Sequence, residues 1–273
     1  MIRDSKYGEI IRYDLGRSFF GRKIYWTTAY LVDGLMIDTG CARTALELLN
    51  HVTGKKLDAI VNTHSHEDHI GGNASIQDSQ PGIPTHAHPS ALPIIRDPSK
   101  NQPLLLYRKI VWGMPEPSLV QPIQNDCILE TDKFHFQVIY TPGHTTDHLC
   151  LYEPDQQWIF TGDLFVGGKD RAIRAGTDIW RIIDSLKMIS TLPLKGMYPS
   201  SARIRLEPAD DLQAKIDYLE MIGEKVLELA DRGWNEKEIS RDIFGKTMWI
   251  EIITGGHLSR RNLVHAYLDN LPV

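Results

Sequence analysis

Residues 57 to 69, LDAIVNTHSHEDH, run from an apolar, strand-like stretch straight into three histidines, a glutamate and an aspartate within six positions. So many nitrogen and oxygen donors in one turn read either as a metal site or as a hydrophilic loop. A metal site constrains the fold, because the turn must be held rigidly and other segments must bring donors to the same point. Residues two apart on an extended chain project to the same side, so His64 and His66 can converge on one ion without bending the backbone. Asp68 and His69 fall in the turn beyond, where IGGN lets the chain bend sharply into a helix, and they can face a second ion beside the first. The run is not HExxH, since its glutamate and second histidine are wrongly separated for that helical motif.

A divalent zinc ion takes about four ligands, so the rest of the chain has to supply more. Two later strand ends do so: YTPGHTTDH offers His144 and IFTGDLF offers Asp163. Both follow apolar strands in glycine-bearing turns, where a side chain projects from one edge of a sheet. A merely polar turn would require three separate ligand-rich strand ends by coincidence.

GEIIRYDL, KIYWTTAYLV and GLMIDTG read as strands, ARTALELLNHV as a helix, and LDAIVNT as a strand. That alternation implies helices packed over a sheet. Strands resume at FHFQVIYT, HLCLYE and QWIFTGD, followed by an amphipathic helix over 179–191 and a short strand, KGMYP. Pro208 opens a helix whose Leu212, Ile216, Leu219, Ile222, Val226 and Leu229 trace one stripe, with Gly233 as its stop. NEKEISRDIFG starts another helix, with Asn235 as cap and Glu238 three residues on, and SRRNLVHAYLDNL is the last. The division expected is a domain over 1–207 and a helical extension over 208–273. Residues 97–118, an irregular stretch with four prolines around Leu104–Leu106 and Ile110–Trp112, read either as a lid over a pocket or as a loop tucked onto the core.

The formal net charge of −5 and pI near 6.1 argue against a nucleic-acid sleeve. MIRDSKYGEI lacks the apolar run of a signal peptide, and no stretch approaches membrane-spanning length, so a cytoplasmic protein without a membrane contact is expected. Cys41, Cys127 and Cys150 are odd in number with no CxxC spacing, and read as reduced core thiols.

His64-x-His66-x-Asp68-His69, then TPGH and TGD, preceded by IDTG at 37–40, resembles the metallo-β-lactamase superfamily. GDLFVGG at 162–168 is similar to the hydroxyacylglutathione hydrolase (glyoxalase II) branch. TPGHTTDH and the helical C-terminus also resemble the β-lactamase-like endoribonuclease branch. The likeness covers roughly residues 8 to 201, and the tail loosely. It implies an α/β fold, a four-layer αββα sandwich with a C-terminal helical appendage. It also implies that His64, His66 and His144 hold a first metal, Asp68 and His69 a second, and that Asp163 bridges them. Zinc is the expected ion, one or two in number, with iron or manganese open. One departure matters: the histidine that usually closes the second site falls at Ser201. The second ion then binds weakly with extra water, or is absent, or recruits another histidine, for which His257 in TGGHLSRRNL is the candidate. His257 equally reads as a polar residue ahead of the last helix. His86 and His88 read as strand-end surface or supporting residues, and His148 as pointing into the strand after the site.

Such a site makes water reactive by lowering its pKa toward about 7, with Asp68 as general acid/base. Lys169, Arg171 and Arg174 in GGKDRAIRAG lie where the family's substrates lie, and read either as receptors for an anionic tail or as a solvated loop paired with Asp170. The expected function is metal-dependent hydrolysis of a small-molecule ester, thioester or lactone. The alternatives are a phosphodiesterase or ribonuclease, suggested by Arg260 and Arg261 in the tail, a mononuclear iron oxygenase, and a non-catalytic metal-binding regulator. Assembly as a homo-oligomer is left open.

Overall fold

The computed structural model describes residues 2–19 and 22–269. Two sheets form its centre. The first runs in order β1 (Ile2–Tyr7), β2 (Ile10–Phe19), β3 (Arg22–Val32), β4 (Leu35–Ile37), β5 (Ala59–Val61), β6 (Thr85–Ala87) and β7 (Gln121–Pro122). Its first four strands are antiparallel and its last four parallel. The second sheet contains β8 (Ile128–Glu130), β9 (His135–Tyr140), β10 (Leu149–Glu153), β11 (Trp158–Gly162), β13 (Gly196–Pro199) and β14 (Arg205–Leu206). A two-stranded ribbon joins β12 (Ile173–Arg174) to β15 (Leu258–Ser259).

Alternation along the strands explains the layering, because successive side chains leave a strand on opposite faces. In β3, Tyr30 and Val32 enter the space between the sheets, while Ala29 and Leu31 face the helices α1 (Ala45–Val52) and α2 (Asn73–Ser79). In β10, Leu149 and Leu151 point between the sheets, whereas Cys150 and Tyr152 face outward. Strands buried on both faces read as nearly continuous apolar runs. The outer face of the second sheet is covered by α6 (Ile179–Ser190), α7 (Ala209–Asp231), α8 (Glu236–Phe244) and α10 (Arg260–Asp269), all contributing to one apolar core. The architecture is therefore a four-layer αββα sandwich with additional C-terminal helices.

The helices end where their caps dictate. Asn235 closes a reciprocal capping box with Glu238 at the start of α8, and Gly233 takes a left-handed φ of 83° just past α7. Trp180 of α6 donates through Nε1 to the carbonyl of Tyr267, whose own hydroxyl donates to the carbonyl of Leu219. Gly223 leaves room for both rings. The helices after Pro208 are thus seated on α6. The expectation that the last helix continues past Asp269 falls outside the described residues.

Three expectations need correction. An N-terminal strand, β1, which the strand readings above do not include, pairs along β2; Arg3, Asp4, Ser5 and Lys6 fill its middle, leaving no apolar face for the sequence to advertise. Cys127 is exposed and only Cys41 and Cys150 are buried. Residues 97–118 are not wholly irregular: after the short helix α3 (Leu92–Arg96) they include α4 (Pro98–Asn101) and α5 (Leu106–Val111), with Pro98 standing in the first turn of α4.

Strand directions decide where the donors meet. β9 and β11 are each antiparallel to β10, and β13 is parallel to β11. β9, β11 and β13 therefore point the same way, and the turns after them carry His144, Asp163 and Ser200–Ser201 to one edge of the sandwich. β5 delivers His64 to the same edge from the facing sheet.

Candidate metal centre

Nε2 of His64 and Nε2 of His144 each lie 3.0 Å from Nδ1 of His66. Three imidazole nitrogens from two loops thus converge on one point. Beside them, Nε2 of His69 lies 3.5 Å from Asp163 Oδ2 and 3.8 Å from Asp68 Oδ2, and Nε2 of His144 lies 3.6 Å from Asp163 Oδ2. His64, His66 and His144 form one compact donor set, and His64, His69 and Asp163 another.

The hydrogen-bond pattern fixes which nitrogens of His64, His69 and His148 carry lone pairs. Thr63 donates through Oγ1 to Asp38 Oδ2 at 2.8 Å, so its oxygen accepts from Nδ1 of His64 at 3.0 Å. His64 Nε2 is then bare and faces the cluster. His69 donates from Nδ1 to Asp38 Oδ2 at 2.7 Å, leaving its buried Nε2 with no hydrogen-bond partner. His148, 0 % exposed, accepts the backbone N–H of Asp163 at Nε2 (3.2 Å) and donates from Nδ1 to Thr141 Oγ1 (2.9 Å). It holds the carboxylate's loop instead of pointing away down the strand.

Charge tells the same story. Burial, reinforced by the neighbouring imidazoles, pushes His64 well below the usual histidine range. Burial and the nearby Arg174 do the same to His66, and His144 falls to about 4 and His148 to about 3, both chiefly from burial. His69 moves the other way: burial opposes it, but Asp38, Asp163 and Asp68 raise it well above its ordinary value. Burial raises the Asp68 carboxyl, whereas His69, His144 and a hydrogen bond from Ser201 outweigh burial and hold Asp163 low. With the other imidazoles held neutral, the His69 proton answers part of the charge on these carboxylates, and a bound divalent ion would take over that role.

A divalent ion fits this set. Ligands about 2.1 Å from a tetrahedral ion lie roughly 3.4 Å from one another, close to the 3.0–3.8 Å separations here. Nitrogen donors whose outer N–H groups are fixed by carboxylate or hydroxyl partners are the usual supporting arrangement. Ser201 Oγ donates to Asp163 Oδ1 at 2.9 Å, so the residue standing where a histidine was expected orients a carboxylate.

Of the other sequence candidates, Arg174 is at the site: its Nη2 lies 3.8 Å from Glu67 Oε1 and 4.0 Å from Asp68 Oδ1, and its buried Nη1 has no hydrogen-bond partner. Lys169 and Arg171 are exposed, with the Lys169 ammonium over the Tyr218 ring at 5.7 Å. Asp170 pairs with Lys215, not with the loop's own cations. His257 joins neither donor set; its Nδ1 meets the Tyr107 hydroxyl at 2.6 Å. His86 lies in β6, and His88 stacks on Tyr140 with ring centroids 4.6 Å apart. Arg260 pairs with Glu251 and Arg261 with Glu236, so these two arginines are engaged internally.

Several residues support the site in ways that the sequence signal did not reveal. Asp38, at a left-handed φ of 59°, gathers His69, Thr63 Oγ1 and the Thr63 backbone N–H; a lone aspartate ahead of TG gives no hint of its distant partners. Asp147 accepts the Ser65 N–H at 2.9 Å and so ties the two histidine loops together. Glu67, 0 % exposed, pairs bidentately with Arg108 of α5. The glycines of IGGN are needed for space, not for positive φ: a Cβ on Gly72 would sit 3.0 Å from Thr39 Cβ and closer still to its carbonyl.

Residues 27–212 match the family model described as "Metallo-beta-lactamase superfamily". A protein named hydroxyacylglutathione hydrolase from Legionella pneumophila (strain Lens) is 29% identical over 181 residues, 64% of this chain and 60% of the relative. The chain thus spans less than two thirds of the length of that curated relative. Among solved structures, a metallo-beta-lactamase family protein from Thermus thermophilus superposes with a TM-score of 0.69 at 19% identity, covering 94% of this chain and 92% of the other. The protein TTHA1623, solved in a di-iron-bound form, matches with a TM-score of 0.55 at 29% identity, covering 68% of this chain and 92% of that one. With the family model covering more than half of its length, and its donors gathered at one edge of an αββα sandwich, the chain belongs to the metallo-beta-lactamase superfamily.

Proposed function

We propose that this protein is a metal-dependent hydrolase of small-molecule thioesters or esters, with His64, His66, His144 and Asp163 holding a first divalent ion and Asp68, His69 and Asp163 a second. The observation that carries the reading is the convergence of ring nitrogens of His64, His66 and His144 on one point, beside the Asp68 and Asp163 carboxylates. A bound divalent cation supplies Lewis acidity, which lowers the pKa of water and stabilises developing negative charge. The protein's residues supply the rest. Asp68, whose carboxyl is raised by burial, takes the proton released as water oxygen bonds to the acyl carbon. It returns that proton to the sulfur or oxygen as the acyl bond breaks. Arg174 offers its unpartnered Nη1 to an anionic group on the substrate. The thioester preference rests on the relative named for hydroxyacylglutathione. Zinc suits a nitrogen-rich tetrahedral set, and the di-iron form of TTHA1623 makes iron the competing ion.

The test is a panel of acyl thioesters followed by free-thiol release, with metal content determined by mass spectrometry. Metal-loaded protein should turn over, chelated protein should not, and zinc should restore activity. Metal-replete protein inert across the panel, or iron-loaded protein consuming oxygen instead, overturns the proposal.

A further inference from the structure

Large apolar side chains stand in water on two segments that face each other beside the metal centre. On α5 and the residue before it, Leu105, Leu106 and Ile110 are 46 %, 74 % and 58 % exposed. Opposite, Ile252 and Ile253, at the end of α9 (Trp249–Ile253), are equally open. Between them runs a groove of about 630 Å³ lined by the α5 residues, Ile253, Thr254 and His257. Isolated surface leucines need no explanation, but a concave apolar patch marks a binding surface.

Three contacts join this groove to the site. Tyr107 and His257, one from each wall, are hydrogen-bonded at 2.6 Å. His257 precedes β15, which pairs with β12 so that Leu258 lies opposite Arg174, and Ala175 N–H donates to the His257 carbonyl. Arg174 in turn packs over Trp112 and approaches Asp68. The α5 wall is anchored from inside, since Arg108 pairs with Glu67, the residue between His66 and Asp68. Both walls of the groove are therefore tied to residues of the metal centre, with the Arg174 cation between them.

We propose, on the basis of the hydrolase reading above, that this groove receives an apolar acyl chain, making the preferred substrates medium- to long-chain acyl thioesters or esters. The chain lies between Ile110 and Ile253, and the scissile carbonyl sits past Arg174 at the metal centre. Each methylene moved from water into the groove should raise kcat/KM by about 3- to 4-fold until the groove is filled.

The experiment uses the full chain. First, a homologous series from acetyl to dodecanoyl thioesters of one thiol is compared in wild type, Ile110→Asp and Ile253→Asp. Second, octanoate and dodecanoate, candidate products, are titrated against metal-loaded and metal-free protein by tryptophan fluorescence, which needs no turnover. Affinity and kcat/KM that climb with chain length in wild type, with the climb flattened at least tenfold at dodecanoyl in both variants, are the expected result. Binding that climbs with length while no thioester turns over keeps the groove and removes the hydrolase reading. Chain-length-independent binding overturns the groove. So does a dimer in solution that Ile253→Asp dissociates, because a second copy then covers the patch.

Discussion

Removing the Glu67 carboxylate should release α5 from the metal centre. Glu67 is buried and Arg108 nearly so, with the guanidinium fork on both carboxylate oxygens. Glu67→Leu leaves the Arg108 charge buried without its partner, a change that costs about 3–5 kcal/mol. Arg174 also loses a carboxylate at 3.8 Å but keeps Asp68, which places the expected loss near the lower end, about 3 kcal/mol. Arg108→Met alone should cost less, about 1–2 kcal/mol, because Arg174 remains beside Glu67 and compensates part of its charge. The double variant Glu67→Leu/Arg108→Met removes both charges and should recover at least about 2 kcal/mol of the sum of the single losses. Urea unfolding of metal-free protein is the assay, since it separates this pair from the adjacent ligands. A Glu67→Leu loss under about 1 kcal/mol, or a double variant as unstable as the two singles summed, refutes the reasoning.

Acidification should destabilise the metal-free protein. His64, His66, His144 and His148 are all depressed below the unfolded value, His144 to about 4 and His148 to about 3. Below about pH 6.5 the unfolded chain therefore binds protons that the folded chain refuses, and stability falls as pH drops toward those values. His69, raised in the folded state, works oppositely, its contribution being present below about pH 6.5 and lost at higher pH. Burial depresses His86, His88 and His257 as well, so seven histidines stand against the raised His69 and Asp68 and set the sign, and a urea midpoint that rises between about pH 7 and about pH 5 would contradict it. Gly162→Ala should cost about 2–3 kcal/mol and weaken metal binding: at φ 48° its new Cβ would stand 2.7 Å from His148 Nε2 and 2.8 Å from Thr63 Oγ1. An unchanged melting temperature sinks that account. Ser201→His replaces a hydroxyl bonded to Asp163 with an imidazole, so zinc titration should find the second ion held about tenfold or more tightly. Equal affinity in both proteins would mean that the position does not reach the ion.

How much of this was legible in the chain follows from the range of each interaction. The i, i+2 pairing of His64 and His66 is local geometry, and the turns bearing His144 and Asp163 each follow a strand readable by itself. The capping box at Asn235 and the stripe along α7 are equally local. Arg108 was hidden for the opposite reason. Within LLLYRKIVW nothing separates a guanidinium aimed inward at Glu67, 41 positions earlier, from the solvated Lys109 beside it. Of the basic loop at 169–174, only Arg174 turns in, because β12 must pair with β15, and a two-residue strand leaves no periodic trace. His257 was drawn toward the metal by its flanking glycines, yet the Tyr107 hydroxyl holds its ring.

Asp38 connects these scales. Its two oxygens receive the Thr63 N–H at 2.7 Å, the Thr63 hydroxyl at 2.8 Å and the His69 ring at 2.7 Å, and Ser200 Oγ stands 3.4 Å away. Those donors come from the loop after β5, the turn before α2 and the end of β13, so one carboxylate ties both sheets at the site edge. A left-handed backbone is uncommon for a residue with a side chain and persists only where its surroundings over-determine it. Here the charge-assisted bonds do so, and they also set the tautomers of His64 and His69. The interactions that close the sandwich at this edge are therefore the same ones that aim the imidazole lone pairs inward. Folding leaves the donor set already arranged, and an arriving ion has little chain entropy left to overcome.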